Sequence, residues 1–196
     1  MSLYRPARLE DLPQIREINS HYILHTSLTF MRTPPPLPTY IKKWNDLKNQ
    51  GLPYIVAIDP DRKQEGGLDM VLGYASFSPF RGHLVSYAPT VELSLFVHPD
   101  HHSKSIGSNL LNNLLDLVRI GKVRHYCEEA VAEAGSDDAT ESRSATVISQ
   151  VRNVIAVMAV DPEGRDGGER LRNWYIERGL KESGRLKSVG FKRGHW

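Results

Sequence analysis

Three strand-forming segments follow one another without a helix between them, and this order limits the folds that the chain can adopt. Tyr54–Ile58 is apolar and β-branched, Met70–Phe77 is similar, and Thr90–Val97 alternates in character. In the third segment the odd-numbered positions share an apolar face, whereas Glu92 lies on the opposite face. Because three strands meander consecutively, the chain is predicted to be a mixed α/β domain rather than a doubly wound one.

Periodicity and turn residues predict the remaining elements. We expect helices at about 12–23, 39–49, 108–120 and 169–178, and further strands at about 2–6, 154–160 and 180–189. Residues 122–150 differ from the rest, because their central part is acidic, rich in Ala and Ser, and poor in large apolar side chains. We interpret this stretch as a largely disordered insertion in a single domain that spans residues 1–196.

Composition and charge narrow the functional classes. Hydrophobic residues make up 40% and charged residues 24% of the 196 positions, which is typical of a soluble globular domain. The net charge of +2 gives no sign of a nucleic-acid-binding surface, and no apolar run is long enough to span a membrane. Cys127 is the single cysteine, so we expect a reducing, cytoplasmic location.

The junction between the third strand and the next helix is the first candidate binding site. The segment His102–Ser108 leads into a helix whose first backbone N–H groups and positive dipole end favour phosphate. The spacing of a Walker loop is absent. Most such junctions are merely connections, so this feature alone does not establish a site.

Two side chains could supply acid–base chemistry. Glu92 could be a surface carboxylate, or it could face a cleft as a general base. Tyr175 lies one helical turn before Gly179, where an aromatic residue usually packs in the core.

Taken together and in this order, these features resemble the GNAT superfamily of N-acetyltransferases, in particular its phosphinothricin and methionine sulfone acetyltransferase branch. The most specific matches are the strings Tyr87-x-x-Thr90-Val-Glu92 and Val189-Gly-Phe-Lys-x-Gly-x-Trp196. Shorter matches occur at Arg5–Ala7, Ser20–Ile23, Phe30–Thr33, Gly73–Ala75 and Pro79–Arg81. The resemblance implies the GNAT fold, which has a central, twisted, mostly antiparallel sheet flanked by helices.

The resemblance also implies a site for acetyl-CoA as co-substrate. Its residues would be Phe96, Val97, His102, Ser103, Lys104, Ser105, Ile106, Gly107 and Ser108. The family pattern has Arg or Gln where this chain has His102, and Gly where it has Ser105, whereas Gly107 is kept. If φ at position 105 is positive, serine adds strain of order 1 kcal/mol.

The remaining implied roles concern the reaction and the acceptor. Glu92 matches the general base that removes a proton from the acceptor amine, and Tyr175 matches the group that protonates the leaving thiolate. Residues that would bind the acceptor, including its carboxylate, are Phe30, Arg32, Arg81, Tyr87 and Thr90. The expected acceptor is a small amino-acid-like amine, and the resemblance suggests a homodimer.

Alternatives remain open at this point. The altered loop and the long insertion are compatible with a catalytically impaired relative that binds acyl-CoA. An acetyltransferase for protein or polyamine amines would be expected to have an acidic groove, whereas Arg32 and Arg81 favour an acceptor with a carboxylate. The pairs His21 and His25, and His98 and His102, lack an evident third ligand, so no metal is predicted.

Overall fold

The computed structural model describes residues 2–64, 66–82, 84–131, 143–161 and 163–194. These residues form seven strands: β1 (Leu3–Pro6), β2 (Tyr54–Lys63), β3 (Asp69–Pro79), β4 (Thr90–Val97), β5 (Arg124–Val131), β6 (Arg143–Gln150) and β7 (Asn153–Ala156). They also form four α-helices: α1 (Leu12–His25), α2 (Leu37–Asn49), α3 (Ile106–Arg119) and α4 (Glu169–Ile176). Short 3₁₀ turns precede α1, β4, α3 and α4.

The main sheet has the strand order β1-β2-β3-β4-β7. Its first four strands pair antiparallel, and β7 joins β4 in parallel. This arrangement confirms the expected mixed α/β fold with a mostly antiparallel central sheet. The three consecutive strand signals lie at its centre because short turns let neighbouring antiparallel strands pair directly.

The two faces of β4 are covered by different helices. Phe96 lies on one face, where its ring packs 5.0 Å from that of Tyr22 in α1. Val97 lies on the other, where a β-carbon built on Gly107 of α3 would sit 3.4 Å from its side chain. The sheet therefore lies between two helical layers. Side chains from the sheet and from both layers are almost entirely buried, including Leu12, Ile15, Ile18, Val56, Val71, Phe77, Val91, Leu110, Leu111 and Leu114.

The predicted disorder of residues 122–150 is wrong for most of that stretch. β5 and β6 form an antiparallel hairpin, and residues 132–142 between them lie outside the described part. An isolated hairpin has little stability of its own, but this one is anchored to the domain. The ring of His125 is buried and hydrogen-bonds the Ala88 carbonyl at 3.0 Å, and the Tyr126 N–H donates to the Gln50 carbonyl at 2.9 Å.

Two predicted strands also need correction. The strand expected at 154–160 ends at Ala156, and the strand expected at 180–189 is irregular chain with exposed apolar side chains. Instead of pairing there, the tail reaches back to the loop after α1, where Lys192 donates to the Thr29 carbonyl at 2.6 Å. Among the described residues, no helix is both long and apolar enough to cross a bilayer.

Candidate active site

β4 and β7 pair only over the first four residues of β4, and we call the gap beyond their last pair the cleft. Their parallel pairing covers Thr90–Leu93 and Asn153–Ala156 and then stops. β4 continues to Val97 while still paired with β3, whereas the chain after Ala156 leaves the sheet. The edge of β4 from Ser94 to Phe96 thus has no strand partner on that side in the described structure, so the backbone groups that point to that edge are available to a ligand.

The start of α3 adds a site for an anion at one end of this cleft. The first N–H bond of the helix runs from Asn109 to the Ser105 carbonyl at 3.0 Å. The N–H groups of the preceding turn, at Ile106, Gly107 and Ser108, have no intrahelical acceptor and lie at the positive end of the helix dipole. This donor set suits a phosphate or pyrophosphate group.

Two serines in the loop before α3 adopt left-handed backbone conformations. Ser103 has φ of +61° and Ser105, which caps α3, has φ of +58°. Glycine adopts such angles without a side-chain clash, whereas serine is strained there. The positive φ expected to cause strain at position 105 is therefore present.

His102 is held by a tyrosine from α1. The Tyr22 hydroxyl lies 2.6 Å from the Val97 carbonyl oxygen and 2.7 Å from Nε2 of His102. Burial raises the pKa of Tyr22 to about 12, so its single proton is retained and is donated to the carbonyl. Nε2 of His102 must then be the protonated nitrogen that donates to Tyr22, and Nδ1 does not contact the hydroxyl.

Lys104 brings a fixed positive charge to the same loop. Its ammonium group lies 3.2 Å from Nδ1 of His101 and 3.5 Å from the Asp100 carbonyl oxygen. Burial and the charge of Lys104 lower the pKa of His101, so the ring is neutral and can accept the hydrogen bond.

A second cation is held against the first turn of α3 by α4. Nε of Arg178, just beyond α4, donates to the Ser108 hydroxyl at 3.0 Å, and Nη1 donates to the Trp174 carbonyl at 2.8 Å. The guanidinium group also lies 4.2 Å from the centre of the Trp174 ring. Trp174 approaches Gly107, where an added β-carbon would lie 3.6 Å from its ring. These contacts fix the charge of Arg178 beside the anion site.

Glu92 lies at the base of the cleft, one residue before the last β4–β7 pair. It is partly buried and stands opposite Ser78 of β3 and Ile155 of β7. Its side chain is on the same face of β4 as Phe96, which is the face covered by α1 and α2.

Tyr175 lies in α4, with its ring packed edge-to-face against Trp174 at 4.9 Å. Its desolvation raises the pKa of the phenol to about 12. Among the described residues the hydroxyl has no hydrogen-bond partner, which leaves it able to donate to a ligand. Tyr175 therefore combines core packing with a protonated group.

The residues expected to bind the acceptor lie in two places. Arg81 is exposed in the turn after β3 with φ of +54°, and Tyr87 stacks edge-to-face on the neighbouring Phe80 at 5.4 Å. Thr90 begins β4, and its carbonyl accepts from the Phe80 N–H at 3.4 Å, so these three residues form one cluster. Phe30 and Arg32 are exposed in the loop between α1 and α2, and the structure gives no contact that joins them to this cluster.

The histidines that the structure describes form no evident metal centre. His21 and His25 lie with their ring centres 5.1 Å apart, as expected for a spacing of four residues in a helix. In the part of the chain that the structure describes, no group of three or more His, Cys, Asp or Glu side chains is arranged to bind a metal ion.

Comparison with known proteins identifies the family. The profile of the acetyltransferase (GNAT) family matches residues 16–139. The chain belongs to the GNAT family of acetyltransferases. The expected family, its enzymatic class and its fold are thereby confirmed.

Individual relatives refine this picture. The L-amino acid N-acyltransferase MnaT of Escherichia coli (strain K12) is 34% identical over 186 residues, which cover 95% of this chain and 98% of that protein. A phosphinothricin N-acetyltransferase of Streptomyces coelicolor is 32% identical over 58% of this chain and 63% of its own length. The crystal structure of a GNAT superfamily phosphinothricin acetyltransferase from Sinorhizobium meliloti, in complex with AcCoA, superposes with a TM-score of 0.69 at 27% identity, covering 100% of this chain and 83% of that one.

Sequence reasoning did not find three side chains at this GNAT site. Tyr22 lies in the helix predicted at about 12–23, but its hydroxyl contacts join residues far apart in the sequence. Trp174 and Arg178 lie in the helix predicted at about 169–178, near its end. An Arg one turn after a Trp was a local sign of their stacking, whereas their contact with α3 depends on the tertiary fold.

Proposed function

We propose that this GNAT enzyme transfers an acetyl group from acetyl-CoA to the amine of a small amino-acid-like acceptor. The observation that carries the proposal is the cleft between β4 and β7, which has the anion site of α3 at one end and Glu92 at its base. The names of the relatives, which refer to L-amino acids and phosphinothricin, support the acceptor class.

The residues at the start of α3 fit the pyrophosphate of acetyl-CoA. Backbone donors of Ile106, Gly107 and Ser108 offer hydrogen bonds that depend little on side-chain identity. Lys104 and Arg178 add positive charge from two sides. Acetyl-CoA supplies the reactive thioester, and the unpaired edge of β4 at Phe96, with Val97 beside it, is the surface along which its chain would lie.

Glu92 is proposed to act on the acceptor amine. An amino-acid amine is mostly protonated at neutral pH and cannot attack until it loses a proton. The Glu92 carboxylate accepts that proton, directly or through a water molecule, and becomes a carboxylic acid.

Tyr175 is proposed to act on the departing sulfur. Because its pKa is raised to about 12, the phenol carries its proton throughout the neutral range and can donate it to the thiolate. His102 and Lys104 remain at the phosphate end and take no part in this proton transfer.

The acceptor carboxylate is proposed to bind near the turn after β3. Arg81 offers a planar pair of donors, with Tyr87 and Thr90 beside it, and Phe30 and Arg32 would complete the wall. A polyamine acceptor has no group that would use the charge of Arg81.

A panel of amines tests the proposed function. Purified protein is incubated with acetyl-CoA and phosphinothricin, methionine sulfone, methionine sulfoximine, ordinary L-amino acids, spermidine or a peptide, and both free CoA thiol and acetylated product are measured. Acetylation of one or more amino-acid-like amines, above spermidine and peptide, is expected. Binding of acetyl-CoA without turnover of any amine would overturn the proposal in favour of an impaired acyl-CoA-binding relative.

Three further features stay predictions. They are the single catalytic domain, the homodimer and the cytoplasmic location. Light scattering of the purified protein measures its mass in solution and so tests the homodimer.

A further inference from the structure

The tail string that begins at Val189 and the loop string Phe30–Thr33 lie far apart in the sequence but meet in the structure. Lys192 is only 5% exposed, and its ammonium group donates to the Thr29 carbonyl at 2.6 Å. Burial lowers the pKa of Lys192, and the charge of the neighbouring Arg193 adds to this effect. A buried cation needs polar partners, so this contact ties the tail to the loop that follows α1.

Gly190 lets the tail approach the Phe30 ring closely. A β-carbon built on Gly190 would lie less than 3.0 Å from three carbon atoms of that ring, which is closer than such atoms can approach. The φ angle of Gly190 is not positive, so the close contact, rather than the backbone conformation, requires glycine here. Phe30 nevertheless remains 50% exposed. One part of its ring therefore packs on the tail, and the rest is free to contact a ligand.

The loop that carries Phe30 starts beside the cleft. Tyr22, in the last turn of α1, packs its ring 5.0 Å from that of Phe96 and donates to the Val97 carbonyl at 2.6 Å. The N–H of Thr26, which is the first residue of the loop, donates to the Tyr22 carbonyl at 3.2 Å. The loop therefore begins at the end of β4, on the face of that strand from which Glu92 also projects.

Other contacts hold the two ends of the loop but not its middle. The N–H and hydroxyl of Thr26 cap the end of α1. At the far end, Nε of Arg16 donates to the Pro35 carbonyl at 3.0 Å. The tail contacts the middle of the loop, at Thr29 and Phe30. The position of the Phe30 ring thus depends on the tail.

We propose that Gly190 and Lys192 are positioning residues that hold the Phe30 ring where it contacts the side chain of the acceptor. The assignment rests on the proposed function, in which Phe30 forms part of the acceptor wall. Lys192 fixes the backbone of the loop next to Phe30, and Gly190 fixes the ring itself. Both act through Phe30 and touch no reacting atom, so they should govern binding of the acceptor rather than acetyl transfer.

The test compares Gly190→Ala and Lys192→Met with matched controls from the same tail. An added β-carbon at Gly184 meets no atom within 4 Å, and Lys187 is exposed. Gly184→Ala and Lys187→Met therefore make the same changes away from the loop. Thermal unfolding, the Kd of acetyl-CoA, and kcat and KM for the best amine of the panel are measured on all four variants.

A second measurement follows the Phe30 ring without turnover. The chain has five phenylalanines, so their ring resonances can be resolved by NMR after selective labelling. The Phe30 resonance is assigned by its absence in Phe30→Leu. It is then recorded in wild type, Gly190→Ala and Gly184→Ala, and in wild type during titration with methionine sulfone and phosphinothricin.

We expect Gly190→Ala to shift the Phe30 resonance, because the half-exposed ring must move to admit the β-carbon. Gly190→Ala and Lys192→Met should each raise KM for the acceptor about three- to tenfold, which is the size of a lost aromatic contact, and leave kcat within about twofold of wild type. The Kd of acetyl-CoA should not change. Both controls should behave as wild type does.

An unchanged Phe30 resonance in Gly190→Ala, or a shifted resonance with an unchanged KM, would overturn the proposal. So would a fall in kcat or a rise in the Kd of acetyl-CoA that equals the rise in KM, since this indicates a general disturbance. If Lys192→Met does not fold, Gly190→Ala decides alone. If no amine is acetylated, the proposed function fails separately, and the positioning role is then rejected if neither amine shifts the Phe30 resonance of wild type.

Discussion

Tyr22 and His102 are joined by a contact of 2.7 Å between the hydroxyl and Nε2, and the same hydroxyl bonds the Val97 carbonyl at 2.6 Å. One side chain of α1 therefore links the end of β4 to the loop that precedes α3. Here the position of that loop depends on a tyrosine from another layer of the fold.

Tyr22→Phe removes this link without removing the ring. We expect a loss of about 1 kcal/mol in the free energy of unfolding, because a buried hydrogen bond is lost. We also expect weaker binding of acetyl-CoA, by several-fold, measured by calorimetry. Tyr40→Phe is the matched control. It also deletes a buried tyrosine hydroxyl, but this one donates to Oδ1 of Asn19 at 2.7 Å and does not contact the loop before α3. Equal affinity in the two variants would contradict the role given to Tyr22.

Ser105→Gly relieves the left-handed strain at the start of α3. We expect the free energy of unfolding to rise by about 0.5 kcal/mol, since the relief is partly offset by the greater freedom of glycine in the unfolded chain. Asn112→Gly is the control, because Asn112 is exposed within α3 and glycine should destabilise the helix there. Urea unfolding measures both, and a loss of stability in Ser105→Gly as large as in the control would refute the strain.

Arg178→Met removes the cation that α4 holds against Ser108. We expect the affinity for acetyl-CoA to fall about three- to tenfold at low salt, and its salt dependence to weaken, because a charge near the phosphates is lost. Arg172→Met is the control from α4, since Arg172 pairs with Glu169 and Glu182 rather than with Ser108. If both variants bind acetyl-CoA as wild type does, Arg178 serves only to dock α4 on α3.

Tyr175→Phe tests the proposed proton donor. A pKa raised to about 12 means that the phenol stays protonated up to alkaline pH, so the donor is not lost in the neutral range. We expect kcat to fall by about 10²-fold, with a ratio of wild-type to variant rates that is constant from about pH 7 to pH 10. A ratio that declines through about pH 9 would indicate a donor with an ordinary or lowered pKa.

The central strands of this fold can be predicted from sequence because their pattern is local. The alternation in Thr90–Val97 marked both faces of β4, and the observed strand has the same bounds. The helix expected at about 108–120 is observed as α3, which begins two residues earlier. Because β4 and α3 are consecutive in the sequence, the loop before α3 follows directly from the strand that carries Glu92.

The hairpin and the tail could not be predicted in the same way. Acidic and small residues obscure the strand pattern of β5 and β6. The hairpin is attached to the rest of the domain by contacts of His125 with Ala88 and of Tyr126 with Gln50. The tail has apolar side chains that suggested a strand, yet Leu186 is 81% exposed and no ladder forms there. For the same reason the contacts of Tyr22 and Arg178 could not be predicted, because each joins elements distant in the chain.

Glu92→Gln tests the central claim most directly, since it keeps the shape of the side chain and removes its ability to take a proton. kcat with the best acceptor and the Kd of acetyl-CoA are measured on wild type and variant at the same pH. The account predicts that kcat falls by about 10²-fold or more while the Kd stays within about twofold. Turnover equal to wild type would contradict it and remove Glu92 from the mechanism.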